Sequence, residues 1–532
     1  MKLLSSDIRL SICRYLHRSR DLLSLYNLSL ISLEWKRTVD KYKAETIIHI
    51  EPLDPANLPF MVPNIDSDNL HMVTEKIVMI PPYDSTLPTN LMRHFPNLKE
   101  IEIRCSSDNV SSFQQFLKLD HHRHVEKLVI NAYKLDIPDG IFAEPGRPRY
   151  YNNLKTLEVT NTNGPILIFK ILDYFRNLET LYIPPYFNSC SSSSNSSNSS
   201  SSSSSGISSS NSDAATGTTM ISEFLFENSR SFSNRVYPKL KSINFPISLL
   251  SEIATQEVGG LEKLGAVFPN LESFALECGP VFPKVPNEQQ TMNMYKSLEF
   301  MISGLKKLKY LSLTIINQSI VDTIDQKCSN LETLSLHLSH IISPNEIAAT
   351  LRKLMGSSSK VMEKLINIDI SPHYSIESDI WNDTLFVKPG KDINNNSDEE
   401  ALTPTNLIDI NKNNTIKSFS SFRIKFSPRI LYLLRKFPLL EEVDINIDNF
   451  SNIQTLAATA SSASGSNNNS ITLKSVLILT LYILKEYNVE ELVTFVRMFP
   501  NVRVVNMRFG IMSDMLEHLK IQFPNTIFLS CW

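Results

Sequence analysis

One strand-like pattern, apolar-x-x-apolar-x-apolar, returns about a dozen times along this chain of 532 residues. It reads NLKEIEI at Leu98, VEKLVI from Val125, NLKTLEV at Leu154, NLETLYI at Leu178, KLKSINF at Leu240 and NLESFAL at Leu271. The second half continues with KLKYLSL at Leu308, NLETLSL at Leu331, KLINIDI at Leu365, LLEEVDI at Leu440, TLKSVLI at Leu473 and NVRVVNM at Val502. Spacings such as 24, 31, 37, 23 and 29 residues make the array irregular. Between the copies lie segments of helical period: Ile347, Leu351 and Leu354 fall at i, i+4 and i+7, as do Leu492, Val496 and Phe499. Helix starts are marked by Ser343-Pro344-Asn345-Glu346 and Ser427-Pro428. Phe-Pro-Asn at 95–97, 268–270, 499–501 and 523–525 stops a helix just before a strand. A lone strand and helix cannot bury their apolar sides, whereas stacked copies form a continuous parallel sheet lined by helices. The fold class is therefore α/β, an irregular repeat solenoid. A doubly wound parallel α/β fold would carry similar buried strands, but it rarely repeats one strand motif so often.

The recurring LxxLxL core resembles leucine-rich repeats over roughly residues 70–532. The family's asparagine, three residues after the last leucine, is mostly replaced, for example by Ser106, Thr162, Ser339 and Asp448. Three polar or small-residue stretches interrupt the array, at 188–219, 391–415 and 457–470. In the first, 18 of the 24 residues from Ser189 to Ser212 are serine, a composition that cannot build a core. All three are expected to be loops thrown out from the solenoid.

Ahead of the repeats, residues 4–42 carry three short amphipathic stretches. They comprise Ile8, Ile12 and Tyr15; Asp21 capping Leu22, Leu25 and Leu28; and Ser32 capping Trp35, Val39 and Tyr42. The order and spacing of Leu4, Ile8, Leu16 and Trp35 resemble an F-box, with Ser5 standing where that family opens with proline. The resulting division is a three-helix F-box-like module at 1–43, a connecting segment with the first repeats at 44–97, and the leucine-rich-repeat solenoid at 98–532. A helical bundle that only caps the solenoid would satisfy the same apolar spacing. Residues 1–50 hold nine Lys/Arg against five Asp/Glu, a local surplus that suits an acidic partner. The resemblance implies that partner: the acidic Skp-type adaptor of a cullin-RING ubiquitin ligase, bound through Leu4, Ile8, Leu16 and Trp35, with the cullin reached through the adaptor.

A net charge of −3 favours neither nucleic acid nor an anionic membrane as partner. The most apolar stretch, Val476 to Leu484, is far shorter than the roughly 20 residues of a spanning helix. Asp7 precedes any signal-peptide apolar region, so the expected setting is cytoplasmic or nuclear. Six cysteines at least fifty residues apart contain no Cys-x-x-Cys pair, which disfavours a disulfide framework or zinc knuckle. No glycine-rich phosphate loop, His-Glu-x-x-His helix or Gly-x-Ser-x-Gly elbow occurs, so no enzyme, cofactor or metal is expected. His121-His122-Arg123-His124 has no companion carboxylate or cysteine at ligand spacing and reads as a solvated turn.

What remains is surface. Residues alternating with the core leucines face the concave side of such a sheet. The candidate substrate readers are Glu102, Tyr182, Tyr310, Glu442, Asp444, Asn506 and Arg508, with Glu100, Arg104, Glu158, His337 and Asp369 on the same face. Any solenoid places polar groups there for solubility. The function the F-box resemblance implies, with this face added, is a non-catalytic substrate receptor of an SCF-type ubiquitin ligase that holds a protein substrate on its repeat face. The alternatives are a leucine-rich-repeat scaffold outside the ubiquitin system and an enzyme with an unrecognised site.

Overall fold

The computed structural model describes residues 48–50, 76–79, 98–105, 124–135, 153–162, 172, 175–183, 236–247, 264–277, 288–338, 344–356, 359–372, 415–425, 430, 433–447, 472–483, 489–508 and 513–531. The F-box-like module, the serine-rich stretch, residues 391–414 and residues 457–470 lie outside them. The chain divides into two compact units, Met1–Asn228 with Lys239–Ile243, and Ser229–Pro238 with Asn244–Trp532.

In the first unit the strands are β1 (Ile48–Ile50), β2 (Lys76–Met79), β3 (Glu100–Cys105), β4 (Lys127–Leu135), β5 (Thr156–Thr162) and β6 (Thr180–Tyr182), with β7 (Ser242–Pro246) starting there. Each pairs in parallel with the next, in sequence order. The second unit holds β8 (Ser273–Glu277), β9 (Tyr310–Leu313), β10 (Thr333–Leu338), β11 (Asn367–Pro372), β12 (Ser418–Lys425), β13 (Glu442–Ile447), β14 (Ile478–Ile483), β15 (Val504–Arg508) and β16 (Ile527–Cys531). These too are all parallel and in order. Its described helices are α1 (Leu264–Val267), α2 (Glu288–Gly304), α3 (Gln318–Lys327), α4 (Pro344–Met355), α5 (Val489–Arg497) and α6 (Ser513–Gln522). Strand-after-strand parallel order requires the chain to cross back between strands each time, and the described helices lie in the crossings that lead into β8, β9, β10, β11, β15 and β16.

The repeat is visible in its hydrogen bonds. The residue after the first apolar position of each copy offers its carbonyl to two successive N–H groups of the next copy. Lys99, Glu126, Lys155 and Glu179 do so in the first unit, and Glu272, Lys309, Glu332, Ile366, Lys417, Glu441 and Leu477 in the second, at 2.7–3.2 Å. That shared contact holds neighbouring copies in the same register. It also places like positions of consecutive copies side by side. Apart from Ile366 and Leu477, lysine and glutamate occupy it, pairing Lys155 with Glu126 (3.1 Å), Lys241 with Glu179 (2.7 Å), Lys309 with Glu272 (2.9 Å) and Lys417 with Glu441 (3.1 Å).

The three apolar positions of each copy form the core, as in Leu98, Ile101 and Ile103, or Leu331, Leu334 and Leu336, all at most 1% exposed. In the second unit the helices contribute Leu351 and Leu354 from α4 and Leu492, Phe495 and Val496 from α5 to the core. Phe495 meets Phe499 edge-on at 5.3 Å between ring centres. Gly265 in α1 lies against the backbone of Gly304 at the end of α2, so close that a Cβ would overlap the Gly304 carbonyl. Only glycine permits that approach.

Two sequence expectations change. The copy read at Leu473 in fact starts three residues later: Leu477 takes the two-donor carbonyl position, and Val476, Leu479 and Leu481 are the core residues. A further copy, β12, has Ile416 and Phe419 in the first two core positions and the fully buried Ser421 in the third. Its apolar template is broken at one position, which hides it from a hydrophobic scan. In two of the Phe-Pro-Asn turns the asparagine has a specific task. Asn270 donates to the carbonyl of Pro238 (2.7 Å) and Asn501 to that of Lys474 (2.6 Å), tying each turn to the one before.

Candidate functional site: the polar face of the second unit

Opposite the core, register aligns Ser312, Ser335, Asp369, Ser420, Asp444, Thr480 and Asn506 in one row across β9 to β15. One step along, Asn446, Tyr482 and Arg508 form a second row on β13 to β15. Of the expected readers, Tyr310, Glu442, Asp444, Asn506 and Arg508 all fall on this face, with His337 and Asp369. Tyr310 is 37% exposed, and burial raises its phenol above the ordinary value against the opposing hydrogen bond with Ser312.

The face contains two polar clusters. In the first, Asp369 accepts from Ser335 on Oδ2 (2.9 Å) and from Ser371 on Oδ1 (3.0 Å), so both carboxylate oxygens are engaged. Ser335 Oγ also lies 3.0 Å from His337 Nε2. Because the one serine proton goes to Asp369, the imidazole donates to Ser335 rather than accepting from it. A serine nucleophile needs the reverse, with histidine taking the hydroxyl proton and the carboxylate on the other ring nitrogen. Serine, histidine and aspartate meet here, but their polarity is that of a structural network.

The second cluster centres on Asp444. Burial pushes its carboxyl up to about 6, helped by the negative charges of Asp369 and Glu442 and opposed by Arg508 and by the Tyr482 hydroxyl. That hydroxyl donates to Asp444 Oδ2 at 3.4 Å, while Oδ1 is buried without a hydrogen-bond partner. Asn446, 3% exposed, likewise has an unpartnered Oδ1. Asn506 donates to Thr480 Oγ1 (3.3 Å). Arg508 places its guanidinium 5.2 Å from the centre of the Tyr482 ring instead of against a carboxylate. A buried acceptor without a donor costs about 1–3 kcal/mol, and this cluster keeps two on adjacent face positions of one strand. Tyr482 and Asn446 were not expected from the sequence.

The first unit's face is chemically different. Glu100 lies between Lys76 (2.8 Å) and Lys127 (3.3 Å), and Glu102 between Arg104 (3.0 Å) and Lys76 (3.4 Å). Glu158 reaches Lys127 at 3.6 Å. Burial opposes ionisation of Glu102, but the Arg104 hydrogen bond and the charge of Lys76 outweigh it and hold the carboxyl below its usual value. Three carboxylates and three cations thus answer one another within the face. Tyr182 sits half-buried in the row after Glu158. Leu4, Ile8, Leu16 and Trp35 lie outside the described residues, as do His121, His122 and Arg123.

Among the described residues no group of three or more His, Cys, Asp or Glu is placed to hold a metal ion, and no helix is long and apolar enough to cross a membrane. No protein-family model matches the chain, and no curated protein matches it. A solved yeast structure, the complex of Rad7 and Elc1, is similar at 10% identity and a TM-score of 0.32, covering 96% of this chain and 94% of that one. Likeness at that level carries no argument about function.

Proposed function

We propose that this chain is the substrate-recognition subunit of an SCF-type cullin-RING ubiquitin ligase. On this reading residues 1–43 bind a Skp-type adaptor through Leu4, Ile8, Leu16 and Trp35, and the repeat face holds a protein substrate. The chain itself catalyses nothing, and its partners are the adaptor, the cullin through the adaptor, and the substrate. The observation that carries the proposal is the F-box-like order of apolar landmarks set directly before an array of parallel strand repeats. An adaptor module without a reading surface, or the reverse, would not make a receptor.

The test is a pull-down of Skp-type adaptor by the full chain, by the chain lacking residues 1–43, and by a Leu16→Ala, Trp35→Ala variant. Adaptor is expected with the full chain and absent with the deletion. The double variant should be weakened, with circular dichroism to separate lost contact from lost fold, since core truncations cost about 2–5 kcal/mol each. Adaptor recovered equally by the deletion would overturn the proposal and leave a repeat scaffold outside the ubiquitin system.

A further inference from the structure

The turns that lead into β14, β15 and β16 depart from the charge pairing found at the other strand starts. In the row just ahead of the strands, Glu272 meets Lys309 (2.9 Å) and Lys417 meets Glu441 (3.1 Å). The three copies after Glu441 put Leu477, Arg503 and Thr526 in that row. Arg503 is exposed, with an apolar neighbour on one side and, on the other, a threonine whose hydroxyl donates to the Val502 carbonyl (3.0 Å). Among the described residues no carboxylate answers its guanidinium. Residues 472–477, 497–503 and 520–526 carry Lys474, Arg497, Arg503 and Lys520 and no aspartate or glutamate. The same turns enclose a groove of about 680 Å³ whose lining includes Leu477, Val502, Arg503, Phe523, Pro524 and Ile527. Ile527 is 60% exposed. One unanswered cation thus stands among apolar walls.

We propose that this groove docks a short segment of a partner protein in which an acidic side chain stands between apolar ones, the carboxylate on Arg503 and the apolar residues against Leu477, Phe523 and Ile527. A guanidinium offers a carboxylate two parallel N–H donors, which adds geometric selection to the charge. Apolar residues seated on either side keep water and salt from the pair, and a partly enclosed pair is screened less than an open one. Nucleic acid suits the groove less well. Its affinity grows with the number of phosphates neutralised, and the groove offers one guanidinium among apolar side chains. The inference goes beyond the receptor reading and holds whether or not residues 1–43 bind an adaptor. It places a partner contact at the strand starts of the second unit, beside the polar face rather than on it.

The experiment uses the immobilised full chain against three libraries of ten-residue peptides, randomised except for a central Leu-Glu-Leu, Leu-Gln-Leu or Ser-Glu-Ser. Glutamine keeps the shape of glutamate without its charge, and serine removes the apolar flanks. Wild type is expected to retain Leu-Glu-Leu about fivefold over Leu-Gln-Leu, the upper range for a pair that solvent still reaches, and to retain Ser-Glu-Ser less than Leu-Glu-Leu. Arg503→Gln should abolish the preference for glutamate, and Arg503→Glu should reverse it. Both replace an exposed side chain, and circular dichroism checks that the fold is kept. Lys306→Gln, exposed in the turn before β9 and away from the groove, should keep the preference. Equal retention of the glutamate and glutamine libraries by wild type, or of the leucine-flanked and serine-flanked ones, would overturn the proposal. So would a glutamate preference that survives Arg503→Gln, or one that Lys306→Gln removes equally, which would make it a diffuse effect of surface charge. Displacement of the Leu-Glu-Leu peptides by a ten-base single-stranded oligonucleotide would also overturn it, giving the groove to nucleic acid instead.

Discussion

The guanidinium of Arg508 lies over the ring of Tyr482, 5.2 Å from its centre, with the two residues directly paired on β14 and β15. The same tyrosine turns its hydroxyl to Asp444 on the other side, so one ring separates the cation from the carboxylate. A direct pair between Arg508 and Asp444 would hold the carboxyl low. Its absence is what lets burial win and carry Asp444 up to about 6.

That raised value has a thermodynamic sign. In the unfolded chain an aspartate titrates near 3.9, so between about pH 4 and 6 the folded state binds the extra proton and stability falls as pH rises. Above pH 6 the full penalty of a buried charge is present; below pH 4 it has gone. Asp444→Asn should therefore stabilise the protein at pH 7.5, by on the order of 1 kcal/mol after solvent screening of a half-buried group, and by nothing near pH 4. Urea denaturation at both pH values checks it. A variant less stable than wild type at pH 7.5 would show that Asp444 is structural.

Gly265→Ala should lower the melting temperature. Its Cβ would overlap backbone rather than a movable side chain, so α1 or α2 must shift, at about 1–3 kcal/mol. Thermal denaturation followed at 222 nm measures the loss. An unchanged melting temperature would mean that the two helices can separate freely.

Asn501→Ala should cost about 0.5–1.5 kcal/mol by removing the amide donor from the Lys474 carbonyl. Asn501→Asp should cost at least as much, because a carboxylate cannot donate and faces that oxygen with like polarity. Equal stability of wild type and the aspartate variant in urea would exclude the turn-to-turn bond as the reason for asparagine there.

Deleting Ser189 to Ser212 should leave the melting temperature nearly unchanged. β6 and β7 pair directly across this stretch, and loop-closure entropy changes by only about 0.6 kcal/mol per doubling of length. A large drop would mean that the tract packs against the fold.

The strands were legible because a buried parallel strand repeats one short apolar template, and Leu98, Leu154 or Leu331 keeps it intact. The failures share a cause. In the run from Leu473 to Ile483 almost any offset fits an apolar template, so the copy was placed three residues early and Tyr482 fell beyond its core. Ser421 broke the template of β12 and concealed a whole strand. Which face a residue takes follows from alternation alone, and Tyr310, Glu442, Asp444, Asn506 and Arg508 do share one face. Whether it is free follows from neighbours dozens of residues away: Glu102 meets Lys76, and Asn446 meets nothing on its oxygen. Sequence periodicity does not encode those cross-strand meetings.

The alternation of Lys99, Glu126, Lys155, Glu179 and Lys241 at one position of consecutive copies sets a parity on the first unit. Excising the copy that carries Glu126 would set Lys99 beside Lys155, two like charges where neighbours had attracted. Excising that copy together with the next restores lysine against glutamate. Removing copies in twos therefore keeps the charge pairing at this position, whereas removing one breaks it, by about 0–1 kcal/mol for pairs this exposed.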